Sequence, residues 1–307
     1  MRILFFGGNG FIGSRYLQLF SKKHNITVVC RSGEFPYFSK EVSNKIKFIK
    51  CDITDRESLD KLVLSEFDIV VHAAARISIS NESESFHELI ETNALGTINI
   101  LEAMSNAKIN KILLCSSMTV YSPETAIPAL ENSNRFPVHF YGISKMWAED
   151  VIRMYAEKKH VKALIIRYPG LYGFPKRSGY IYSIACKMLR DQPVEVNTQG
   201  LKFWESMYID DALAITEKLL NIWKWNKDYE TMNCCYGEEV DIIKTAYRIK
   251  EMLNSKSHIN TIAPLDYKRF YLSNSKIKSL LNSDFDYDFE KGLGEFLNEL
   301  KHREEQD

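Results

Sequence analysis

Tyr141 and Lys145 stand four residues apart in the segment FYGISK, and Ser117 ends the apolar run KILLCSS. If the segment 141–158 is helical, the two side chains share a face, because residues four apart are neighbours on a helix. A lysine ammonium beside a phenol favours the phenolate and lowers the phenol pKa. Such a phenol can exchange a proton with a carbonyl or alcohol oxygen, and Ser117 can hydrogen-bond the same oxygen. We therefore predict that Tyr141, Lys145 and Ser117 are catalytic.

A glycine-rich turn, GGNGFIG at 7–13, follows the first apolar run and opens an amphipathic stretch. Its spacing satisfies both GxxGxxG and GxGxxG. Glycine allows positive φ in the turn and lets a pyrophosphate approach bare backbone, and the helix that follows offers free N–H groups. Between a first strand and a first helix, this motif predicts a dinucleotide site. The residues predicted to contribute are Gly7, Gly10, Phe11, Ile12 and Gly13.

The end of the second strand bears on the choice of dinucleotide. Folds that prefer NAD place an acidic residue there for the ribose 2′-hydroxyl. Here the chain has Arg31 and Ser32, and an arginine can hold a 2′-phosphate by charge and paired hydrogen bonds. The sequence predicts NADP as the preferred cofactor, with NAD as the alternative and a solvated surface arginine as the competing interpretation.

Further cofactor contacts are expected at the next strand ends. Asp52 can accept a hydrogen bond from the adenine amino group or, alternatively, cap the helix that begins near Asp55. The small residues Ala73, Ala74 and Ala75 end the fourth strand and admit a close approach of the cofactor. The remaining predicted cofactor contacts are Ile53, Asn93, Ser116, Tyr141, Lys145 and Tyr168.

The elements that must position these residues alternate between apolar runs and amphipathic stretches. Strands that are apolar throughout and separated by helices indicate a parallel sheet covered on both faces, hence an α/β fold. The predicted strands are 2–6, 26–30, 45–51, 68–75, 111–117 and 161–168. The predicted helices are 11–23, 55–64, 86–107, 141–158, 210–225 and 289–303.

Composition excludes several classes of function. The 307 residues carry 40 basic and 40 acidic side chains, so nothing steers the protein toward nucleic acid or an anionic membrane. No apolar run reaches the roughly 18 residues that a membrane span needs. The six cysteines form no CxxC pair, which favours buried free thiols over a metal site or disulfides and predicts a reducing, cytoplasmic location.

Eight landmarks, in order along the chain, resemble the extended short-chain dehydrogenases of the NAD(P)-dependent epimerase/dehydratase family. They are GGNGFIG, CDITD, HAAAR, TNALGT, CSSMTVY, YGISK, RYPGLYG and YIDDA. The resemblance implies a doubly wound Rossmann domain, at 1–169 plus about 205–228. It implies a smaller α/β substrate domain, at about 170–204 plus 229–307.

The same resemblance implies roles and partners. Tyr141 is the expected acid and base, Lys145 its tuner and a ligand of the nicotinamide ribose, and Ser117 the partner of the substrate oxygen. Asn93 falls where a family asparagine supports the active-site helix, although an asparagine inside a helix with a backbone partner fits equally well. A homodimer that pairs the helices at 86–107 and 141–158 is also implied.

Met118 and Thr119 narrow the reaction. Dehydratases of the family typically carry an Asp-Glu pair there, which eliminates water. We therefore predict hydride chemistry without elimination: an NADP-preferring reductase of a nucleotide-linked 4-ketosugar or, alternatively, a nucleotide-sugar 4-epimerase with tightly bound NAD. A third alternative is a reductase of a carbonyl compound without a nucleotide, and a fourth is a cofactor-sensing protein without turnover.

Departures from the family weaken the prediction of a nucleotide-linked substrate, so that a diphosphate is either held differently or absent. Trp204 stands where an arginine usually clamps a diphosphate, and Gly170 stands where an asparagine is frequent. Trp204 can stack on a base or sugar or simply pack. The candidate replacements for the missing cations are Lys176, Arg177, Lys202, Lys268 and Arg269.

Overall fold

The computed structural model describes residues 1–32, 46–62, 66–77, 86–107, 109–197, 201–262, 268–282 and 285–305. The strands are β1 (Arg2–Phe6), β2 (Asn25–Cys30), β3 (Lys47–Lys50), β4 (Ile69–His72), β5 (Lys111–Ser117), β6 (Lys162–Tyr168), β7 (Gly170–Tyr172), β8 (Val194–Asn197), β9 (Leu201–Trp204), β10 (Ser206–Tyr208), β11 (Tyr229–Asn233), β12 (Ile259–Ile262) and β13 (Lys268–Phe270). The α-helices are α1 (Phe11–Phe20), α2 (Arg56–Asp60), α3 (Phe86–Ile90), α4 (Gly96–Asn106), α5 (Phe140–Lys159), α6 (Tyr180–Leu189), α7 (Ile209–Ile222), α8 (Ile242–Leu253), α9 (Ser275–Leu281) and α10 (Phe289–Glu304).

Seven strands form the main sheet, in the order β11-β6-β5-β4-β1-β2-β3. β1 pairs in parallel with both β2 and β4, and the outer pairs β2–β3 and β4–β5 are parallel as well. The strand order reverses between β1 and β4, which is the point where open α/β sheets bind ligands beyond the carboxyl ends of their strands. The predicted doubly wound α/β fold is confirmed.

The helix predicted over 86–107 is interrupted. α3 ends at Ile90, a π-helix occupies Glu91–Leu95, and α4 begins at Gly96. A single π turn is uncommon and is frequently found at functional sites, because it turns side chains out of the regular helical register. Here it reorients the segment that contains Asn93.

The chain divides into two compact units. The first contains Met1–Ser122, Arg135–Arg167 and Leu219–Met232, which includes all of the main sheet except the last residues of β6 and β11. The second contains Pro123–Asn134, Tyr168–Lys218 and Asn233–Asp307. The sequence analysis had grouped 123–134 and about 205–218 with the cofactor domain. The assignment of cofactor and substrate to separate domains stays a prediction.

The core of the first unit is built by the apolar runs that the sequence shows. Residues 3–6 of β1, 28–30 of β2 and 112–115 of β5 are all buried, as expected for strands covered on both faces. Among the described helices, none combines the length and apolar character that crossing a membrane requires.

Candidate active site

A cavity of about 470 Å³ lies where β1, β2, β3 and β4 end, within the first unit. Its position matches the crevice at the reversal of strand order. Nine predicted cofactor contacts line it: Gly7, Gly10, Arg31, Ser32, Asp52, Ile53, Ala73, Ala74 and Ala75. Phe11, Ile12 and Gly13 form the first turn of α1, directly after that wall.

The glycine turn is shaped as the motif predicts. Gly7 has φ +82°, and a Cβ there would lie 2.5 Å from the backbone nitrogen of Ala74. A Cβ on Gly13 would collide with the carbonyl oxygen of Gly7. The backbones after β1 and β4 therefore approach each other closely, and α1 begins beside them. This arrangement fits a dinucleotide, whose pyrophosphate needs bare backbone and a helix N-terminus.

Arg31 and Ser32 lie together on the cavity wall. The Asn9 side-chain amide donates to Ser32 Oγ over 3.1 Å, which links the glycine turn to the end of β2. Asp52 is the one carboxylate among the described residues of the wall. A positive charge at the end of β2 suits an anionic group on the ribose.

Asp52 lies on the cavity wall, as a contact with the adenine requires, and does not cap α2. It lines the cavity, while its Oδ1 accepts hydrogen bonds from the Thr54 amide at 3.0 Å and the Thr54 hydroxyl at 2.9 Å. The N-cap of α2 is Asp55, whose carboxylate accepts from the Ser58 amide at 3.2 Å. Asp52 thus shapes the turn before α2 without capping it.

The three predicted catalytic residues come together at the end of β5. Ser117 ends β5 and Tyr141 lies in the first turn of α5, and the Ser117 side chain is close enough to influence the pKa of the Tyr141 phenol. Lys145, on the same face of α5, is buried and donates from Nζ to the Cys115 carbonyl over 2.7 Å. The spacing in the sequence therefore produced the expected cluster of phenol, amine and hydroxyl.

The electrostatics of this cluster differ from the expectation. Burial raises the pKa of Tyr141, with a further rise from Cys115, and the Ser117 hydrogen bond only partly opposes this. Burial also lowers the pKa of Lys145 to about 8. The predicted lowering of the Tyr141 pKa is wrong for this structure, because desolvation of the phenolate is the largest influence on that pKa. At neutral pH Tyr141 holds its proton.

Asn93 is a connecting residue. Its Oδ1 accepts from the Arg76 amide at 2.8 Å, and its Nδ2 donates to the Arg76 carbonyl at 2.9 Å and to Ser144 Oγ at 2.8 Å. The π turn places this side chain between the cavity wall and α5. This geometry agrees with support of the active-site helix, since Ser144 directly precedes Lys145.

Met118 and Thr119 form a short 3₁₀ turn after β5. Met118 is buried, and the Thr119 hydroxyl donates to Ser117 Oγ over 2.9 Å. Neither side chain supplies a carboxylic acid next to Ser117. Elimination of water by an acid pair at these positions is therefore excluded.

In the second unit, Trp204 and Gly170 are in contact. A Cβ on residue 170 would lie 3.1 Å from the Trp204 indole nitrogen, and the Trp204 ring centroid is 6.2 Å from that of Phe270. The two departures from the family pattern are thus one packing arrangement, in which a small residue makes room for a large one.

The candidate replacement cations have local partners where the structure describes them. Arg269 forms an ion pair with Glu239, and the Arg177 guanidinium lies 6.0 Å from the centre of the Phe174 ring. Burial lowers the pKa of Lys176. The side chains of Lys202 and Lys268 lie outside the described part.

Tyr168, also in the second unit, shares a 2.7 Å hydrogen bond with Thr216, and its role toward the cofactor stays a prediction.

Several residues of the cavity wall were not predicted. Asn9, Cys30, Cys51 and Arg76 are chain neighbours of predicted contacts, so extending each motif by one residue would have found them; Val29 precedes Cys30 and Ile77 follows Arg76. Thr92 directly precedes the predicted Asn93, so the same extension would have found it, and it reaches the wall through the π turn.

Comparison with known proteins assigns the class. The model of the NAD dependent epimerase/dehydratase family matches residues 3–235. The chain therefore belongs to this family, which confirms the predicted enzyme class, an NAD(P)-dependent enzyme of the extended short-chain dehydrogenase type.

Individual relatives extend over nearly the whole chain. It is 29% identical over 307 residues to a putative UDP-glucose 4-epimerase of Methanocaldococcus jannaschii, covering 98% of each. Its fold is similar to that of a UDP-glucose 4-epimerase from Thermotoga maritima with UDP-glucose, with TM-score 0.84, 22% identity and 99% of both chains covered. It is also similar to a UDP-glucuronic acid 4-epimerase from Bacillus cereus with UDP-glucuronic acid and NAD, with TM-score 0.82, 23% identity, and 98% and 99% covered.

Proposed function

We propose that this enzyme is a 4-epimerase of a nucleotide-activated sugar. The observation that carries the proposal is the proximity of Tyr141 to Ser117, which is followed by Met118 and Thr119 instead of acids. That combination supports proton exchange at a sugar oxygen and leaves no residue at 118–119 to eliminate water. The names of the relatives described above support the same substrate class.

The residues divide the chemistry between them. Tyr141 must first lose its own proton; as the phenolate it takes the proton of the sugar hydroxyl, becomes the phenol and later returns that proton to the same oxygen, while Ser117 hydrogen-bonds that oxygen. The Lys145 ammonium stabilises the Tyr141 phenolate before it takes the proton. A nicotinamide, when bound, accepts a hydride from the carbon that carries this oxygen and gives it back. The glycine turn and the Ala73–Ala75 segment would hold the dinucleotide.

We infer a preference for NADP from Arg31. Its position at the end of β2 and the absence of any carboxylate except Asp52 from the described cavity wall support binding of a 2′-phosphate. Arg31→Asp should reverse the preference, since it replaces the attraction by repulsion. Fluorescence titrations of NADPH and NADH with the wild-type protein and this variant test the inference, and equal NADPH affinities would contradict it.

A second candidate is an NADPH-dependent reductase of a nucleotide-linked 4-ketosugar. Two observations favour it: Arg31 on the cavity wall and the raised pKa of Tyr141, which keeps the proton on the phenol ready for donation to a carbonyl oxygen. Trp204 over Gly170 favours, for either reaction, a substrate that is held without the usual arginine.

One experiment separates these candidates. The purified protein is denatured to release and identify any bound nucleotide, and the native protein is incubated with UDP-glucose or UDP-glucuronic acid under proton NMR. Retained dinucleotide and interconversion at C4 without added cofactor support the epimerase. If the purified protein contains no nucleotide and is inactive on both UDP-sugars, but consumes NADPH with a 4-ketosugar nucleotide, the enzyme is a reductase.

Tyr141→Phe removes only the phenol hydroxyl and therefore tests the role of Tyr141 in either reaction. We expect a loss of about a hundredfold to ten-thousandfold in kcat, because proton transfer by a positioned side chain contributes that much. Cofactor affinity should change little. A cofactor-sensing protein would show no turnover in the wild type and no effect of the substitution.

We also propose a homodimer formed by α5 and α4. Phe140, Trp147 and Met154 recur every seven residues along α5 and are 37%, 43% and 64% exposed, and Leu95, before α4, is 50% exposed. An exposed apolar stripe on one face of a helix suits pairing with a second copy. Light scattering after gel filtration should give a dimer for the wild type and a monomer for Trp147→Arg. A monomeric wild type would contradict the proposal.

A further inference from the structure

A buried carboxylate lies behind the catalytic cluster. Glu149 stands one turn after Lys145 on α5 and is 1% exposed. It accepts a hydrogen bond from Ser116 Oγ at 2.6 Å, and from Arg167 Nε at 2.9 Å and Nη2 at 2.7 Å. The paired bonds from one guanidinium form the strong, directional geometry of an arginine–carboxylate pair.

The partners of Glu149 come from the segments that present the catalytic groups. Ser116 directly precedes Ser117 at the end of β5, and Arg167 lies near the end of β6. Arg135, from the segment before α5, approaches Glu149 Oε2 at 3.3 Å. One carboxylate therefore ties the ends of two neighbouring strands and the approach to α5 to the helix that carries Lys145.

Arg167 extends the connection to the segment after β5. It donates from Nη1 to the Tyr121 hydroxyl, and its guanidinium lies 4.8 Å from the centre of the Tyr121 ring. Tyr121 directly follows the 3₁₀ turn of Met118–Val120, which itself follows Ser117. The contact between Arg167 and Tyr121 therefore holds the far end of that turn. The position of Ser117 is thus fixed on both sides, by Ser116 and by Tyr121.

Glu149 also acts on Lys145 electrostatically. The groups that interact with Lys145 are Cys115 on β5, His72 on β4 and Glu149 on α5. Glu149 and Cys115 raise the pKa of Lys145 and oppose its lowering by burial. On its other side Glu149 forms ion pairs with Arg167 and Arg135.

We propose that Glu149, held by Arg167, is the positioning residue of this active site: it fixes the end of β5 against α5 and sets a negative charge one turn from Lys145. The inference rests on the proposed function and deepens it. Glu149 acts through Ser117, Tyr141 and Lys145 and is not itself a catalytic residue.

The first test measures the Lys145 titration directly and needs no substrate. Protein labelled with ¹³Cε-lysine is titrated by NMR, and the Lys145 signal is assigned with Lys145→Arg. We expect the Lys145 midpoint in Glu149→Gln to fall below that of the wild type, because the neighbouring negative charge is removed. Asp150→Asn, which removes the next and half-exposed carboxylate of α5, is the matched control and should leave the midpoint unchanged.

A second variant guards against loss of folding. Glu149→Gln leaves Arg167 without its counter-charge, whereas the double variant Glu149→Gln/Arg167→Gln leaves no unpaired charge between the two. The double variant should show the same fall, since Glu149 is the member of the pair that acts on Lys145. An unchanged Lys145 midpoint in the folded double variant overturns the inference.

The second test uses turnover of the nucleotide sugar. Glu149→Gln should lower kcat by roughly tenfold to a hundredfold with KM little changed, since misplaced catalytic groups cost about that much, and should displace the pH–rate profile toward acid. Glu149→Asp, which keeps the charge, should restore the profile. If the wild type is active and Glu149→Gln has the same kcat and the same pH–rate profile, the positioning role is overturned and the proposed function stands. If the wild type does not act on these sugars but the Lys145 midpoint falls as expected in Glu149→Gln, the proposed function is overturned and the effect of Glu149 on Lys145 stands.

Discussion

Glu149 in the first unit and Glu205 in the second are equally buried but differently compensated. Glu149 is paired with the Arg167 guanidinium, next to the predicted catalytic cluster. Glu205 accepts backbone N–H groups instead, from Gly237 to Oε1 and from Leu272 to Oε2, both at 2.8 Å. One carboxylate connects elements through a cation, and the other connects two loops through their amides.

Two buried carboxyl groups of the second unit have raised pKa values. Burial raises the pKa of Glu205 to about 7, although the amide hydrogen bonds oppose the rise. Asp211, also in the second unit, is raised to about 6 by burial, while the Tyr236 hydroxyl that donates to it over 2.5 Å opposes the rise. A buried charge without a cation is costly, and such a group gains a proton near neutral pH. Glu205 and Asp211 therefore make the stability of the second unit depend on pH near neutrality.

The largest effect on stability is expected from Arg167→Met. This change leaves Glu149 buried without its main counter-charge, which should lower the free energy of unfolding by about 3–5 kcal/mol. Urea denaturation followed by circular dichroism measures it. The double variant Glu149→Leu/Arg167→Met should recover much of the loss, because apolar replacement of a buried ion pair is often neutral. If the single and double variants lose the same free energy of unfolding, the loss is due to packing and not to the unpaired charge.

Glu205→Gln should have the next largest effect. One of the two amides loses its acceptor, because a glutamine offers one oxygen, and an unpaired buried N–H costs about 1–3 kcal/mol. This loss should appear in full at pH 5. A variant as stable as the wild type at pH 5 would show that the Gly237 and Leu272 amides find other partners.

The pH dependence sharpens the same comparison. Because the folded-state pKa of Glu205 lies above its ordinary value, its stabilising contribution is complete below about pH 4.5 and is lost as pH rises through about 7. At about 1.4 kcal/mol per pKa unit, the loss amounts to roughly 3 kcal/mol. The difference between wild type and Glu205→Gln should therefore narrow from pH 5 to pH 8 in denaturation series. Parallel curves would exclude titration of Glu205 in this range.

The smallest effect is expected from Asp150→Asn. Asp150 accepts from Arg135 at 2.6 Å, but its side chain is 38% exposed, so solvent screens the pair. Exposed pairs contribute about 0–1 kcal/mol. The variant and the wild type should therefore have nearly the same stability in thermal unfolding. A loss of stability as large as that of Arg167→Met would show that buried and exposed ion pairs around Glu149 contribute equally.

The regular elements of the first unit follow from local pattern. β1 and β5 span the residues that their apolar runs predict, and α5 is one residue longer at each end than predicted. These elements are long or fully buried, so the pattern of side chains is decisive. The π turn at Glu91–Leu95 was missed because the tertiary bonds of Asn93 to Arg76 and Ser144 shape it.

Short strands of the second unit escaped prediction for a related reason. β8 and β12 have four residues each and pair across more than sixty positions of the chain, from Val194–Asn197 to Ile259–Ile262. So few residues carry little periodicity of their own. Their conformation depends on a partner strand that no local window contains.

By itself, the sequence determined the chemistry that is available: a glycine turn after the first strand, a tyrosine and a lysine four residues apart, and no acid at 118–119. Those features depend on residue type and on spacing within one element, and local geometry fixes both. Only the tertiary structure decided that Glu149 meets Arg167 and Ser116, that Trp204 lies against Gly170, and that burial raises the Tyr141 pKa. Desolvation and charge pairing depend on which distant segments pack together, and that arrangement exists only in the folded chain.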